Sequence, residues 1–522
     1  MMRVRGIATP VTLVVLMVVF VSLLAATSYM ALGALKGSAT ERGAYQAFLV
    51  AESALDAFPL LAKSAGCGGA APASYSLPTG GSAASATYVY TSGVTEVNGQ
   101  KRLPASGGTL EVQAVAEWGG AKARVAKRFQ VGCGIAGAVP AALTSRPRVE
   151  VSGNAQVIGQ DFTNATGLLE VTAVSLTGTT SLVLQSVLTQ QGTFTLPVQD
   201  ASLIPVGGYV QISTGGTPKT YRVEGKSGNT LTLKPLFTPS LTDVIPASAP
   251  VQLVQYGVKS YTSPNTLYLA DARGLVVGQA VRVGSAQATV TSVDPATGQV
   301  TVKDWSGTPP TSIPEGTPLV AQVVGAASNL SIDTSGQGQV LYGSLPNSPL
   351  VPSDPNELFL RVFGMTKADF LSLYPPTSAS NFSGTLSNWE LKVVQGPLNL
   401  TGSSRLCGQG ILVVIGNLTV NGSCDSGFQG LIYVAGDYDQ QGNAVLTGSV
   451  VVEGVANLQA CNGNECWTQI AGTDQGNGKG SGKGSGQDGG KITYDPLVMQ
   501  RLRMATQGAV VIRALAGSWR RL

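Results

Sequence analysis

Ile411-Leu412-Val413-Val414-Ile415-Gly416-Asn417-Leu418-Thr419-Val420-Asn421-Gly422 is the stretch that decides how most of this chain is built. An apolar run stops at Gly-Asn, a short alternating run follows, and Asn-Gly turns the chain again. Similar strings return at Gly430 to Gly436, at Gly442 to Gly454 and, far upstream, at Val149-Glu150-Val151-Ser152-Gly153-Asn154-Ala155-Gln156-Val157-Ile158-Gly159. Short β runs punctuated by Gly and Asn at near-regular spacing are what stacked coils require, because each coil buries its apolar face only against its neighbours. The pattern predicts a right-handed parallel β-helix, a solenoid, with first rungs over 141–165 and its main part, including a helix insert, over 326–473.

An internal repeat at a spacing of 71 residues splits that solenoid. Leu196, Asp200, Val206, Gly207, Val210 and Ile212 match Leu267, Asp271, Val277, Gly278, Val281 and Val283, and each copy runs on through Val-rich strands to a Pro-rich end. Each copy has about five short strands with turn signals between them, which predicts two small barrel-like β units of SH3-like size over 190–256 and 262–325. A passive spacer and a binding surface are both open for them.

Working outward, the whole chain has 522 residues, 12% of them charged, with 66 glycines and a formal charge of +4. That length allows roughly three to five domains, and the glycine content points to turn-rich, extended structure. The charge is too small for this length to mark a nucleic-acid binder by itself. No histidine occurs, which removes Ser-His-Asp and Cys-His catalysis and His-ligated zinc. No phosphate loop follows a strand and no paired carboxylates share a credible cleft, so catalytic residues, metal and cofactor are all expected to be absent. Asp437-Tyr438-Asp439-Gln440-Gln441-Gly442-Asn443 faintly suggests a calcium loop but has Gly448 at the twelfth position, where an acid is required. A plain turn is the simpler reading.

At the amino terminus, Gly6 to Leu35 carries no charge, behind Arg3 and Arg5. As a helix it reaches about 45 Å, longer than the ~30 Å hydrocarbon core of a bilayer. The two arginines hold the start cytoplasmic and send the body outward. Tyr45, Phe48, Leu49 and Leu55 then recur at three- and four-residue steps, an amphipathic continuation to about Phe58 that Pro59 is expected to end. The rival is a cleaved secretory signal with Ala25 and Ala26 near the cut, although this run exceeds the usual apolar region of 7 to 15 residues. Over 59–140, alternation in Leu110 to Ala116 and in Ala123 to Ala126, across Gly119-Gly120, predicts a hairpin packed on that helix.

The basic leader 1–6 ending in Gly6, the hydrophobic start at Ile7 and the string Ala47-Phe48-Leu49-Val50-Ala51-Glu52-Ser53-Ala54-Leu55 resemble type IV pilins, specifically PilX-like minor pilins. The resemblance implies prepilin-peptidase cleavage after Gly6, N-methylation at Ile7 and a helix over 7–58 that packs among sister helices. It extends to the Gly-Asn rungs, to the helical pattern between Asp354 and Pro375, and to Tyr494-Asp495-Pro496 and Gly517-Ser518-Trp519-Arg520. One departure stands out: Val11 occupies the fifth position after the cut, where most pilins carry the glutamate that pairs with a neighbour's terminal amine. A subunit without it has no carboxylate to offer the one above, which suits a minor subunit at or near the tip. The implied partners are other pilins, the peptidase and the inner membrane, and a surface ligand or DNA. A type II secretion pseudopilin and an unrelated secreted β-helix protein are the alternatives.

An exported chain meets oxidising conditions. Among the fifteen pairings of six cysteines, Cys67 with Cys133, Cys407 with Cys424 and Cys461 with Cys466 are the candidates. Lys122, Arg124, Lys127 and Arg128 crowd one strand, either a solvated face or an anion contact. Gly, Ser and Lys over 474–490 predict a flexible linker reaching about 23 Å. Behind it, 491–522 sets six basic residues, Arg501 and Arg503 among them, against Asp495. It reads as a tethered basic tail able to draw polyanions or to form a solvated helix face.

Overall fold

The computed structural model describes residues 8–65, 69–77, 84–97, 100–103, 108–133, 135, 137–163, 165–189, 191–295, 297–401, 404–459, 490–506, 510–515 and 517–522. It is mainly β, with one long helix near the amino terminus.

That helix, Ala8–Ala65, has two halves of opposite character. From Val14 to Leu32 its large apolar side chains are exposed. Farther on, Ala47, Val50, Ala51, Ala54, Leu55, Phe58 and Ala62 are buried at helical spacing. All but Ala47 belong to one core with Leu110, Val112, Ala114, Val125, Phe129 and Val131. Phe58 is the centre of this core, its ring 4.9 Å from Phe129 and 5.3 Å from Tyr88. Pro59 does not end the helix, which continues to Ala65. A proline inside a helix costs about 3 kcal/mol, and the buried neighbours Phe58 and Ala62 on either side offset that.

The sheet beneath is antiparallel, in the order Ser74–Leu77, Ala84–Ser92, Gly108–Trp118, Ala121–Cys133, Val510–Ala514, with Arg520–Arg521 also on Ala121–Cys133. The hairpin at Gly119-Gly120 is present, both glycines at positive φ. Its last two strands come from the other end of the chain.

Each insert is an antiparallel sheet around its own core. In the first the order is Pro250–Val254, Tyr209–Thr214, Thr217–Ser227, Thr230–Pro235, Phe194–Pro197. In the second it is Leu319–Ala321, Ala280–Val283, Ala286–Asp294, Gln299–Lys303, Thr266–Leu269. Strands related by the 71-residue repeat hold the same place in both. The copies differ at their edges: Leu168–Ala173 joins Pro250–Val254, so the first unit begins about twenty residues before 190, whereas Val258–Thr262 joins Thr266–Leu269 in the second.

Two parallel sheets form the largest body. One contains, in contact order, Thr385–Gln395, Leu406–Ile415, Ser423–Val434, Val445–Val452, Ala141–Ser145 and Val324–Ser328. The other contains Leu398–Leu400, Leu418–Asn421, Tyr438–Gln441, Ala456–Gln459, Arg148–Ser152 and Ser331–Thr334. The order is the same in both and is not chain order: the segment 141–158 lies between 445–459 and 324–341. At the turns, Asn417 Oδ1 accepts from the Asp437 amide at 3.0 Å, and Asp437 Oδ1 accepts from the Val455 amide at 2.8 Å. The Gly-Asn punctuation therefore carries hydrogen bonds from one layer to the next.

The expected helical segment is two helices, Pro355–Phe363 and Lys367–Leu373, separated by left-handed Gly364. Phe359, Phe363 and Phe370 are buried with Tyr433. Next to them the buried Glu453 accepts from Tyr433 at 2.7 Å and from Lys367 at 2.5 Å.

The reading of 491–522 as a tethered tail is corrected. Lys491–Thr493 lies parallel between Val445–Val452 and Gln156–Ile158. In the helix Pro496–Thr506, Val498, Met499 and Leu502 join the core of the parallel sheets. The apolar residues between the cations, not the cations, decide where this segment goes. The linker positions 474–489 lie outside the described residues.

Candidate functional site

The cations singled out from the sequence fall into three settings. On strand Ala121–Cys133, Lys127 turns to the helix and meets Asp56 at 3.0 Å. Lys122 is exposed and 3.4 Å from Glu117. Arg128 donates to Glu111 at 3.0 Å. Arg124 is exposed and makes no ion pair among the described residues. Pairing of Arg520–Arg521 with Ala126 and Val125 brings two more guanidiniums to this edge. Arg520 reaches Glu111, and Arg521 lies 5.5 Å from the centre of the Phe48 ring. Alternation along the strand divides these cations: Lys127 and Arg521 lie on the helix side, with Asp56 and Phe48, and Lys122, Arg124, Arg128 and Arg520 lie on the opposite face with Glu111 and Glu117.

Glu111 is the buried anchor of that edge. Its hydrogen bond from Arg128, with further help from Thr91 and Arg520, holds its carboxyl below the ordinary value of 4.5 against the opposing effect of burial. A carboxylate depressed in this way stabilises the fold above its unfolded pKa, and the contribution is lost as pH falls through the folded value. We expect the strand Arg520–Arg521 to hold at pH 7 and to loosen only as pH falls below the ordinary range of a glutamate. Amide exchange of residues 517–522 across that range, compared with Glu111→Gln, checks it: the variant should exchange fast throughout.

Arg501 and Arg503, both on the helix Pro496–Thr506, diverge. Arg501 is half-buried, its guanidinium 5.4 Å from the centre of the Trp389 ring. Arg503 is 3% exposed and donates to the Tyr256 hydroxyl at 3.1 Å. As an anion contact Arg503 is therefore a correction: no external phosphate reaches it. It acts instead at the junction of the inserts, near Asp271. Burial opposes the Asp271 charge, but the bidentate Arg273, at 2.7 and 3.0 Å, and Arg503 together hold that carboxyl below its usual range. Tyr209 of the first insert donates to Glu315 of the second at 2.9 Å, so the two copies are joined directly.

Asp200 and Asp271 hold equivalent places in the two copies, but the residues two positions on differ. Ser202 donates to Asp200 through its amide and its hydroxyl. Arg273 stands in the equivalent place in the second copy. That divergence between copies was a legible signal of the junction. Trp389, a single tryptophan in a polar strand, offered none.

Cys407 and Cys424 form a disulfide with a Cα separation of 5.3 Å. Cys67, Cys461, Cys466, Gly6 and Ile7 lie outside the described residues, and of Cys133 only the backbone is described. Among the described residues no group of three or more His, Cys, Asp or Glu side chains is placed to hold a metal ion. In the acidic loop Asp437 is used by the Val455 amide, and Asp439 accepts from Gln441 at 2.6 Å.

Comparison with protein-family models, with curated proteins and with solved structures finds no match in any of the three.

Proposed function

We propose that the chain is a minor subunit of a type IV pilus, at or near the tip, which displays a β-rich head for binding. The observation that carries this reading is the divided helix Ala8–Ala65: one half is packed under a sheet, and the other presents bare apolar side chains along Val14 to Leu32. It is long and apolar enough to cross a membrane. An apolar rod of that length needs a non-aqueous environment, lipid before assembly and sister helices afterwards. The parallel sheets, alike in order and turn chemistry, support a coil-stacked solenoid head, with the two inserts as barrel-like side units. The role is binding and structural, not enzymatic, and needs no cofactor.

The partners are other pilins, the prepilin peptidase and the inner membrane. Mass spectrometry of the subunit from purified pili should find N-methylated Ile7 as its first residue. A chain free in the medium that starts near Ala26 overturns the reading in favour of a secreted protein.

Capture of DNA for natural transformation is the binding role favoured by the cationic face of Lys122, Arg124, Arg128 and Arg520; surface adhesion is the other. Duplex binding by the full chain in detergent should weaken steeply with salt. Replacing Lys122 and Arg124 with Gln should reduce the log–log slope by about two, near one unit per lost phosphate contact. An unchanged slope removes this face from DNA capture. Normal transformation with lost secretion in a deletion strain supports the pseudopilin alternative instead.

A further inference from the structure

An open groove of about 390 Å³ lies between the first insert, the strand Thr385–Gln395 and the helix Pro496–Thr506. That is the small end of the range of about 300–1,000 Å³ that small-molecule sites occupy. Its wall is built around an irregularity. Register skips between Leu386 and Glu390, and Asn388 and Trp389 both sit in the left-handed region, at φ 53° and 59°. Such a conformation is rare for tryptophan and persists only where the surroundings impose it. A bulge of this kind re-aims a side chain out of the regular alternation. Here it sets the indole in the groove wall with Arg501 beside it.

The groove offers an aromatic ring and the thioether of Met504, rimmed by Arg501, Asn388, Asp200 and Ser202. Asp200 and Asn388 are exposed, and Arg501 makes no ion pair among the described residues. We infer that this groove binds a saccharide, one or two pyranose units of a surface glycan. A pyranose presents a face of C–H bonds to stack on an indole and an edge of hydroxyls that both donate and accept. Guanidinium, amide and carboxylate supply the matching donors and acceptors. One guanidinium against one carboxylate leaves no surplus positive charge for a polyphosphate chain. A purely apolar ligand would strip water from both charges without replacing it. The inference rests on the reading of the β-rich head as a binding device and gives this groove a ligand class of its own, apart from the cationic strand Ala121–Cys133.

Saturation-transfer NMR on the full chain in detergent, with maltotriose, chitotriose, trigalacturonate and a short thymidine oligonucleotide as probes, tests it. At least one saccharide should receive transfer at its ring C–H protons. Trp389→Ala should weaken that binding about tenfold or more, the loss of one aromatic stack, while Trp389→Phe should largely retain it. Arg501→Gln, away from the irregular backbone, gives a second reading should Trp389→Ala fail to fold. Absence of transfer from all three saccharides, binding that ignores both substitutions, or oligonucleotide binding lost on Trp389→Ala would each overturn it. The measurement does not involve pilus assembly, so its failure is distinct from failure of the pilus reading, which the mature amino terminus decides.

Discussion

Gly430→Val is expected to abolish ordered stacking of the parallel sheets in an otherwise folded protein. Gly410, Gly430 and Gly448 occupy the same register position in three successive strands. Gly430 has φ 158° and Gly448 φ 133°. A Cβ added to Gly430 would fall on the carbonyl oxygen of Gly410, and one on Gly448 would fall on that of Gly430, far inside van der Waals contact. Both obstacles are backbone, so no rotamer relieves them, and separating the strands breaks the ladder on both sides. We expect a loss on the order of 4 kcal/mol or more, in the range reached only by severe overpacking and backbone strain. Gly422→Ala is the control. It too has positive φ, 92°, but its nearest neighbour is a side-chain oxygen 3.9 Å away, and only about 1 kcal/mol of backbone strain is expected. With several bodies in one chain a single melting temperature is not well defined. Amide exchange over residues 406–459 is therefore the readout: fast in Gly430→Val, near wild type in Gly422→Ala. Wild-type protection in Gly430→Val would mean that these strands are not stacked in this register.

The same ladder shows what the sequence could and could not disclose. Val413-Val414-Ile415-Gly416-Asn417 declared a β run and a turn through local chemistry alone, and the parallel pairing followed because neighbouring runs carry the same pattern. The repeat at Asp200 and Asp271 declared two like units for the same reason. Stacking order was not legible. That 141–158 lies between 445–459 and 324–341 depends on which edge is left uncovered once the inserts leave the chain at Gly159 and return at Val323, and neither edge is marked in composition. The helix runs past Pro59 because burial of Phe58 and Ala62 beside it outweighs the local cost of the proline, a balance that the local sequence does not show. The candidate sites were less legible still: Arg124 was visible as an exposed strand cation, but the approach of Arg520 and Arg521 joins residues nearly 400 positions apart.

Truncation after Thr493 is expected to remove far more than a basic appendage. Were 494–522 a solvated tail, its loss would leave the remaining protein intact and change only its affinity for polyanions. Yet Tyr494, Val498, Met499 and Leu502 are buried in the same core as Val149, Phe359 and Val413. At about 1.5–3 kcal/mol for each buried apolar side chain, their removal forfeits roughly 6–12 kcal/mol, comparable with the whole stability of a typical domain, about 5–15 kcal/mol. Arg503 is lost from Tyr256 and Asp271 at the junction of the inserts. The edge of Ala121–Cys133 loses its partner Val510–Ala514 and becomes an open template for aggregation. A chain ending at 506 keeps the helix and its core contacts but leaves that edge bare. Limited proteolysis and gel filtration should therefore rank the three: full length resistant and monodisperse, the 506 form resistant in its parallel sheets but prone to association, and the 493 form degraded throughout. Equal resistance of the 493 form and the full chain would restore the tethered tail, because the cations would then be the only part of this segment that matters.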